Sequence, residues 1–286
     1  MDPPFRNEYH MATIFVTKAD GTRQPYQRGK IVDLCLKKHV SLDVAEKVAE
    51  KVEERIYDGI ETKKILRMVF TYLKHYRPTV RYQIDLRRAI SLLRPKPDFE
   101  RFIQLLLQEL GYNVLPNLIV RGRCVEHEID AIVIKDGETV LVEVKHHLNH
   151  HTYTGLDICR EARATYEDLT EGFSLGFNRF NITKVMVVCN TKFSEHAKQY
   201  ADCRGIACMG WKSPPERGLE IIIEEKRFHP ITLLKSLRRN YVEKLGDNGI
   251  VLLRQLTTCD FDDLQRKTHI PKEGLKELIN EAKEIY

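Results

Sequence analysis

Two carboxylates and a lysine lie in one short, otherwise apolar stretch, EHEIDAIVIKDGETVLVEVKHH at 126–147. Asp136-Gly137 separates two runs of alternating apolar residues, and Asp-Gly in that setting is the strongest short signal for a β-hairpin. This turn would put Asp130 opposite Glu143. Like charges on opposed residues, whose Cβ atoms are about 4.5–5.5 Å apart, destabilise a hairpin. The pair therefore requires a compensating positive charge.

That charge has two possible sources. Lys145 shares a face with Glu128 and Asp130, so a surface ladder in which it pairs with either carboxylate is one interpretation. The other is a divalent cation, since Mg²⁺ takes carboxylate oxygens. The opposite face of the hairpin is entirely apolar. A hairpin that is apolar on both faces is usually central in its sheet, and charges on a central strand usually line a site. This pattern favours the cation. That face comprises Ile129, Ala131, Val133, Val140, Val142 and Val144.

An acidic residue at the end of one strand, followed by Glu-Val-Lys on the next, resembles the PD-(D/E)xK restriction-endonuclease-like nucleases. The segment GRCVEHEIDAIVIKDGETVLVEVK is especially similar to the Mrr-like and archaeal Holliday-junction-resolvase branches. The resemblance implies that Asp130 and Glu143 hold Mg²⁺ or Mn²⁺, with the Val144 carbonyl as a third ligand. It also implies that Lys145 orients the attacking water or stabilises developing charge, and that a glutamate on the preceding helix, Glu100, approaches the metal.

The helix that carries Glu100 is predicted from DFERFIQLLLQELGY, with Asp98 as its N-cap and Gly111 as its stop. Glu100 has a second interpretation, as a first-turn carboxylate that favours the helix dipole. A strand near 117–124 leads into the hairpin. These elements would bring the helix start and the hairpin into one domain.

The elements after the hairpin predict an α/β sheet. A helix is expected at 156–172, and NITKVMVVCN and IACMGW are predicted strands on either side of a helix capped by Ser194. Strand, helix and strand in succession indicate a parallel crossover. LEIIIEE at 219–225 is predicted as one more strand. Asn190, Phe193 and Ser194 are interpreted as structural residues.

Two other features of this region are less specific. Many Mrr-like proteins carry glutamine-x-x-x-tyrosine on the helix that follows the strand with the lysine. This chain has Arg160, Arg163 and Tyr166 on that helix instead. The two arginines either contact phosphate or form a solvated helix face. HHLNHH at 146–151 fits no standard structural zinc spacing. We interpret it as a loop beside the active site that contacts DNA.

Residues 12–94 resemble an ATP-cone, a nucleotide-binding regulatory domain. The match covers IFVTKADGTRQPYQRGKI, with a turn at Ala19-Asp20-Gly21, and helices near 28–39, 42–58, 61–75 and 79–94. The resemblance implies that Lys18, Arg23 and Lys30 surround the triphosphate of ATP or dATP. The usual lysine-arginine before the turn is Lys18-Ala19 here, so a domain that keeps the fold and serves as a scaffold or dimer contact is the alternative.

The last sixty residues are similar to helix-hairpin-helix DNA-binding modules, in which backbone amides between two helices hold a DNA phosphate. The usual glycine of that hairpin is replaced by His269, and Lys267 and Lys272 are the nearest basic residues. An oligomerisation or capping bundle is the alternative.

Composition sets broad limits on these interpretations. The chain has 286 residues, 42% of them apolar, a net charge of +5 and a pI near 8.7, which mildly favours a polyanionic partner. Seven dispersed cysteines without a CxxC pair indicate reduced thiols. The sequence contains neither a long apolar run nor a signal-peptide core. We therefore expect no membrane span and a cytoplasmic location.

The sequence thus predicts a multidomain protein with a mostly α ATP-cone-like domain at 12–95, a central α/β restriction-endonuclease-like mixed sheet flanked by helices at 96–226, and a small all-α bundle at 227–286. The predicted function is a Mg²⁺-dependent DNA endonuclease controlled by ATP or dATP, acting as a homodimer. The alternatives are a nucleotide-responsive DNA-binding regulator with an inactive nuclease core and a metal-dependent ribonuclease.

Overall fold

The computed structural model describes residues 13–36, 40–76 and 85–285. The chain forms two compact units, Met1–Arg81 and Tyr82–Tyr286. Across the described ranges, none of the helices combines the length and apolar character needed to cross a membrane.

The first unit pairs a small sheet with helices around one apolar core. Its described elements are β1 Phe15–Thr17, β2 Arg23–Pro25, α1 Arg28–Leu36, α2 Leu42–Glu53, β3 Ile60–Glu61 and α3 Thr62–Tyr76. The sheet order is β2-β1-β3, and Lys18 and Thr22 close the predicted turn with backbone hydrogen bonds. Three predicted helices are found here as α1, α2 and α3, although α2 ends at Glu53 rather than near 58. Residues 37–39 and 77–84 lie outside the described residues, and the described part of the helix predicted at 79–94 is Leu86–Ser91 in the second unit.

The second unit contains a five-stranded mixed sheet with helices on both faces. Its elements are α4 Leu86–Ser91, α5 Glu100–Glu109, β4 Asn113–Arg121, β5 Glu126–Lys135, β6 Glu138–Lys145, β7 Tyr153–Thr154, α6 Leu156–Ser174, β8 Lys184–Cys189, β9 Lys192–Phe193, α7 Glu195–Arg204, β10 Ile206–Met209, α8 Leu219–Glu225, α9 Arg239–Gly246, α10 Leu253–Thr258, α11 Phe261–Thr268 and α12 Lys272–Ile285. The mixed sheet and the helical carboxy-terminal region confirm the predicted fold class.

The strand order of the large sheet is β10-β8-β6-β5-β4. The β5–β6 hairpin turns at Asp136-Gly137 in the predicted register, with Lys135 opposite Glu138 and Ala131 opposite Val142. β6, β8 and β10 run parallel to one another, which confirms the predicted crossover. The hairpin is therefore central, with β4 on one side and the parallel strands on the other.

Each face of this sheet covers its own apolar core. Ala131, Val133, Val140, Val142 and Val144 pack with α4, α5, α8 and the carboxy-terminal helices in one core. The other core holds α6 and α7 against the opposite face. Because the last helices share a core with the sheet, burial of apolar area joins them to it. The three-domain division stays a prediction.

Both β4 and β5 change faces in the middle of the strand. Val114 packs in the first core but Val120 in the second, and Ile129 packs in the second core although Ala131 packs in the first. The prediction that Ile129 shares a face with Ala131 is therefore wrong. Asn117 has φ 51°, which rotates the chain out of regular strand geometry. The change of face falls at Asp130.

One predicted element is of the wrong type, and one predicted strand has different bounds. The stretch at 219–225 is helix α8 rather than a strand, because its buried side chains Leu219, Ile222 and Ile223 recur at helical spacing. The strand predicted near 117–124 is β4, which begins at Asn113 and ends at Arg121. Gly111 follows α5 with φ 86° and confirms the predicted stop.

Asp98 does not cap α5. Helix α5 begins without a side-chain cap, and the buried Asp98 carboxylate instead accepts hydrogen bonds from Arg94 Nε and Nη2 at 2.7 and 2.8 Å. Arg94 also contacts Asp247 at 2.8 Å, just after α9. A bidentate pair of this kind fixes the segment before α5.

We expect Asp98→Ala to destabilise the protein by about 3 kcal/mol, because it removes one partner of a largely buried ion pair. Asp247→Ala is the matched control. It removes the other partner of Arg94, but Asp247 is 63% exposed, so we expect a cost below about 1 kcal/mol. Chemical denaturation of the full chain measures both, and equal losses would contradict this role for the Arg94–Asp98 pair.

Candidate active site

Asp130 is held in place by its main chain and its side chain. Its Oδ2 accepts the backbone N–H of Val144 at 2.8 Å. Its carbonyl oxygen accepts a hydrogen bond from Gln104 Nε2 at 3.1 Å, and that amide group also donates to Asn117 Oδ1 at 3.2 Å. The regular β5–β6 pairs end one residue earlier, at Ala131. The predicted direct pairing of Asp130 with Glu143 is thus replaced by a side-chain contact to the next strand.

Glu100 and Lys96 approach Asp130 from the start of α5. Lys96 Nζ lies 3.1 Å from Glu100 Oε1 and 3.6 Å from Asp130 Oδ1. Burial and the charge of Asp130 raise the pKa of Glu100, and Lys96 opposes the rise. The hydrogen bond to Glu100, with the charges of Asp130 and Glu128, raises the pKa of Lys96. The ammonium therefore compensates two carboxylates at once.

Glu143 is the most strongly perturbed carboxylate of the group. Burial raises its pKa to about 7, and the charges of Asp130 and Glu161 add to the rise, while Lys145 and Lys96 act against it. Glu161 comes from α6, on the other side of the hairpin from α5. A carboxylate with so high a pKa is poorly compensated by the cations around it.

The donor chemistry of Glu100, Asp130 and Glu143 fits a hard divalent cation. Carboxylate oxygens are the ligands that Mg²⁺ and Mn²⁺ prefer, and the raised pKa values of Glu100 and Glu143 indicate an excess of buried negative charge. In the ranges that the structure covers, no group of three or more His, Cys, Asp or Glu is already arranged to hold a metal. The carboxylates would have to close around the ion, in place of the Lys96 ammonium.

Lys145 ends β6 next to this group. It acts electrostatically on Glu143 and on His147. Among the described residues it has no carboxylate within 4.0 Å, so the surface ladder with Glu128 or Asp130 does not form. Its ammonium is partly exposed, beside the most strongly perturbed carboxylate.

The HHLNHH segment divides into two parts. His146 is half-buried and packs against Phe99, with ring centroids 4.9 Å apart, and its Nε2 lies 3.2 Å from the Ile90 carbonyl oxygen. His147 exchanges backbone hydrogen bonds with the Asn190 side chain, both at 2.8 Å. These first two histidines are structural. His150 and His151 contact each other at 4.3 Å between ring centroids, closer to the surface.

Asn190, Phe193 and Ser194 have the predicted structural positions. Asn190 binds the His147 main chain, Phe193 is buried in the second core, and the Ser194 hydroxyl accepts the Ala197 N–H as the cap of α7.

The predicted DNA contacts do not lie in one cluster. On α6, Arg160 is exposed, whereas Arg163 is paired with Glu167 at 2.7 Å and lies over the Tyr166 ring. On the carboxy-terminal helices, Lys267 is paired with Asp263 at 2.7 Å, and Lys272 is exposed at the start of α12. His269 adopts φ 51° between α11 and α12, the conformation that the usual glycine supplies.

The three predicted nucleotide contacts of the first unit differ in their surroundings. Lys30 lines a mostly apolar cavity of about 160 Å³, together with Tyr26 and Gln27. Arg23 is engaged by Asp58 and lies over the Phe15 ring. Lys18 is exposed in the turn. The cavity is smaller than a typical ligand pocket, so any nucleotide would place only part of itself there.

Sequence reasoning missed Lys96, Gln104 and Glu161. Gln104 lies one helical turn after Glu100, a spacing that puts both on one face of α5, so it could have been found. Lys96 lies between Pro95 and Pro97, before the predicted start of the helix at Asp98. Glu161 lies beside Arg160 in the sequence, and its electrostatic effect on Glu143 depends on the packing of α6 against the sheet.

Three family models match the chain. The ATP cone domain matches 14–93, the Mrr-type restriction endonuclease domain matches 94–209, and the AF1548-like carboxy-terminal domain matches 229–286. The restriction endonuclease match includes every residue of the carboxylate group. These matches confirm the resemblances inferred from the sequence for the first two regions.

Two similar proteins each match somewhat less than two thirds of this chain. An uncharacterized protein of Archaeoglobus fulgidus is 37% identical over 180 residues, which span 63% of this chain and 97% of that protein. A crystal structure of a protein of unknown function, AF1548, is 34% identical with a TM-score of 0.56, over 64% of this chain and 94% of that one.

We expect Glu143→Gln to raise the thermal unfolding temperature when a chelator is present at about pH 8. Folding raises the pKa of Glu143 to about 7, so the folded state is progressively disfavoured as pH rises from the unfolded-state pKa through that value. Glutamine carries no charge and avoids this cost. The gain should shrink at about pH 5, where folded Glu143 is protonated. A gain of equal size at both values would contradict the role of its charge.

Proposed function

Since this chain belongs to the AF1548-like family and carries a restriction endonuclease domain, we propose that it is a metal-dependent DNA endonuclease. The observation that supports this most is that Lys96 Nζ lies 3.1 Å from Glu100 Oε1 and 3.6 Å from Asp130 Oδ1, while the charge of Asp130 also acts on Glu143. A fold alone does not specify an activity. The carboxylate group supplies the chemistry that phosphodiester hydrolysis requires.

Each residue has a distinct part in the proposed reaction. A divalent cation held by Glu100, Asp130 and Glu143 would activate water and neutralise charge at the scissile phosphate. The Val144 N–H keeps one oxygen of Asp130 occupied, which leaves Oδ1 directed at the site. The Val144 carbonyl stays a predicted further ligand. Gln104 fixes the Asp130 main chain and thereby the position of its side chain.

Lys145 supplies positive charge at the edge of the carboxylate group. Because it has no carboxylate partner within 4.0 Å among the described residues, its ammonium is available for the attacking water or the phosphate oxygens. DNA is the proposed substrate, and cleavage of both strands would take two chains with one site each.

The ATP cone domain supports a second component of the proposal, control by ATP or dATP. Lys30 at the rim of the 160 Å³ cavity is the best-placed predicted contact, and Arg23 would have to leave Asp58 to reach a phosphate. Including either nucleotide in the cleavage assay below tests the direction of control, with Lys30→Ala as the variant that should lose the response.

Cleavage of plasmid and linear DNA by the full chain tests the proposed activity. We expect hydrolysis that requires Mg²⁺ or Mn²⁺ and falls by about 100-fold or more in Glu143→Gln and in Lys145→Ala. Glu138→Gln is the control, because Glu138 lies on the same strand but pairs with Lys184 at the surface. Cleavage that survives in Glu143→Gln would indicate a contaminant, and cleavage of RNA alone would reassign the substrate.

The position of Lys96 leads to a separate prediction. Its ammonium lies next to the carboxylate oxygens that would bind the ion, so the two positive charges would repel each other. We therefore expect Lys96→Met to tighten Mn²⁺ binding by about fivefold, because it removes one positive charge at close range. Isothermal titration of the full chain measures the affinity, and Lys184→Met is the surface control. Weaker Mn²⁺ binding in Lys96→Met would show that the ammonium supports the ion rather than competing with it.

A further inference from the structure

A second group of side chains lies at the same edge of the sheet as Lys145. Because β6 and β10 run parallel, the segments that follow them, 146–154 and 210–213, leave the sheet at one edge. Helix α4 joins them there, since His146 Nε2 contacts the Ile90 carbonyl oxygen. Three separate segments therefore meet beside the carboxylate group.

Arg87 of α4 is the centre of this second group. Its guanidinium lies over the ring of Trp211, 5.7 Å from the ring centroid. Its Nε is buried and has no hydrogen-bond partner. Arg88 beside it is exposed, and within the described ranges neither arginine has a carboxylate within 4.0 Å. Buried polar groups are normally satisfied, so an unpartnered guanidinium nitrogen indicates that a ligand supplies the acceptor.

The two carboxylates that act electrostatically on Arg87, Asp85 and Glu220, each accept a hydrogen bond from the main chain. Asp85 Oδ1 accepts the backbone N–H of Arg88 at 3.2 Å as the cap of α4. Glu220 Oε2 accepts the backbone N–H of Lys212 at 2.8 Å. Neither carboxylate forms an ion pair with Arg87 or Arg88 among the described residues, so the two guanidinium groups remain available to an anionic partner.

The loop after Lys145 is held at both ends and yet presents apolar groups to solvent. Asn190 binds the main chain of His147, and Thr154 is buried with its hydroxyl 3.0 Å from that of Thr191. Between these anchors Leu148 is 72% exposed and Tyr153 is 52% exposed. A fixed loop with an exposed ring and an exposed aliphatic side chain is suited to contact a flat apolar surface.

We propose that these residues bind unpaired bases of the nucleic acid strand that enters the carboxylate group. We name them the Arg87–Trp211 surface, comprising Arg87, Arg88, Leu148, His150, Tyr153 and Trp211. The proposal rests on the proposed nuclease function and specifies its substrate, as DNA with unpaired nucleotides next to the cleaved bond.

The chemistry favours unpaired bases over an intact duplex. Binding to the phosphates of a duplex requires only cations. Tyr153 also provides a ring that can stack on a base, and Leu148 provides an apolar side chain that can insert between two neighbouring bases. The arginines supply the matching contacts to the backbone phosphates. His150, which interacts electrostatically with both arginines, adds a further ring at the same place. Cations interleaved with exposed rings are typical of single-strand binding.

Trp211 is the one tryptophan of the chain, so its fluorescence reports directly on this surface. The full chain in chelator is titrated with a forked DNA that has unpaired arms, and with a blunt duplex of the same paired sequence. We expect the forked DNA to change Trp211 emission and to bind more tightly. Fluorescence anisotropy of labelled DNA measures both affinities independently of the tryptophan.

Tyr153→Ala and Leu148→Ala are the informative variants, because both side chains are exposed and their loss should leave the fold intact. Each should weaken binding of the forked DNA on the order of tenfold and leave duplex binding nearly unchanged. Phe177→Ala is the control, since Phe177 is 51% exposed in the loop that precedes β8, at the opposite edge.

The outcomes separate the two proposals. Normal cleavage with equal affinity for fork and duplex, or with no loss in Tyr153→Ala and Leu148→Ala, would overturn the Arg87–Trp211 surface and leave the nuclease standing. Absence of both DNA binding and cleavage would overturn both. Fork-selective binding without cleavage would support the surface as a binding site and count against the nuclease.

Discussion

Repulsion among Glu100, Asp130 and Glu143 is the interaction on which the candidate site depends. Burial and the charge of Asp130 raise the pKa of both Glu100 and Glu143, and that of Glu143 reaches about 7. A fold tolerates such a group only if a cation compensates it. Lys96 contacts two of the three, which leaves Glu143 undercompensated. The proposed metal would relieve a cost that the fold itself creates.

The sheet brings the carboxylates together through a local irregularity. In a regular hairpin Asp130 would share a face with Glu143, away from α5. The change of face near Asn117 places Ile129 in one core and Ala131 in the other, so Asp130 lies where the two faces meet. It can then contact Lys96 from the α5 side while Glu143 interacts with Glu161 on the α6 side.

Local chemistry made much of this predictable. Asp136-Gly137 set the hairpin and its register, and Ser194 and Gly111 marked helix ends through ordinary capping rules. The misses arose where tertiary contacts overrode local signals. Asp98 lies where the sequence predicts a helix cap, but its carboxylate accepts a hydrogen bond from Arg94 instead. The stretch at 219–225 is rich in isoleucine and suggested a strand, but its apolar residues bury at helical spacing.

Titration of the full chain with Mn²⁺, followed by the paramagnetic resonance of the free ion, would show whether the carboxylate group is a divalent-cation site. If it is, we expect saturable binding that weakens on the order of tenfold or more in Asp130→Asn and is unchanged in Glu138→Gln. Equal Mn²⁺ binding by wild type and Asp130→Asn would rule out a cation site at these carboxylates.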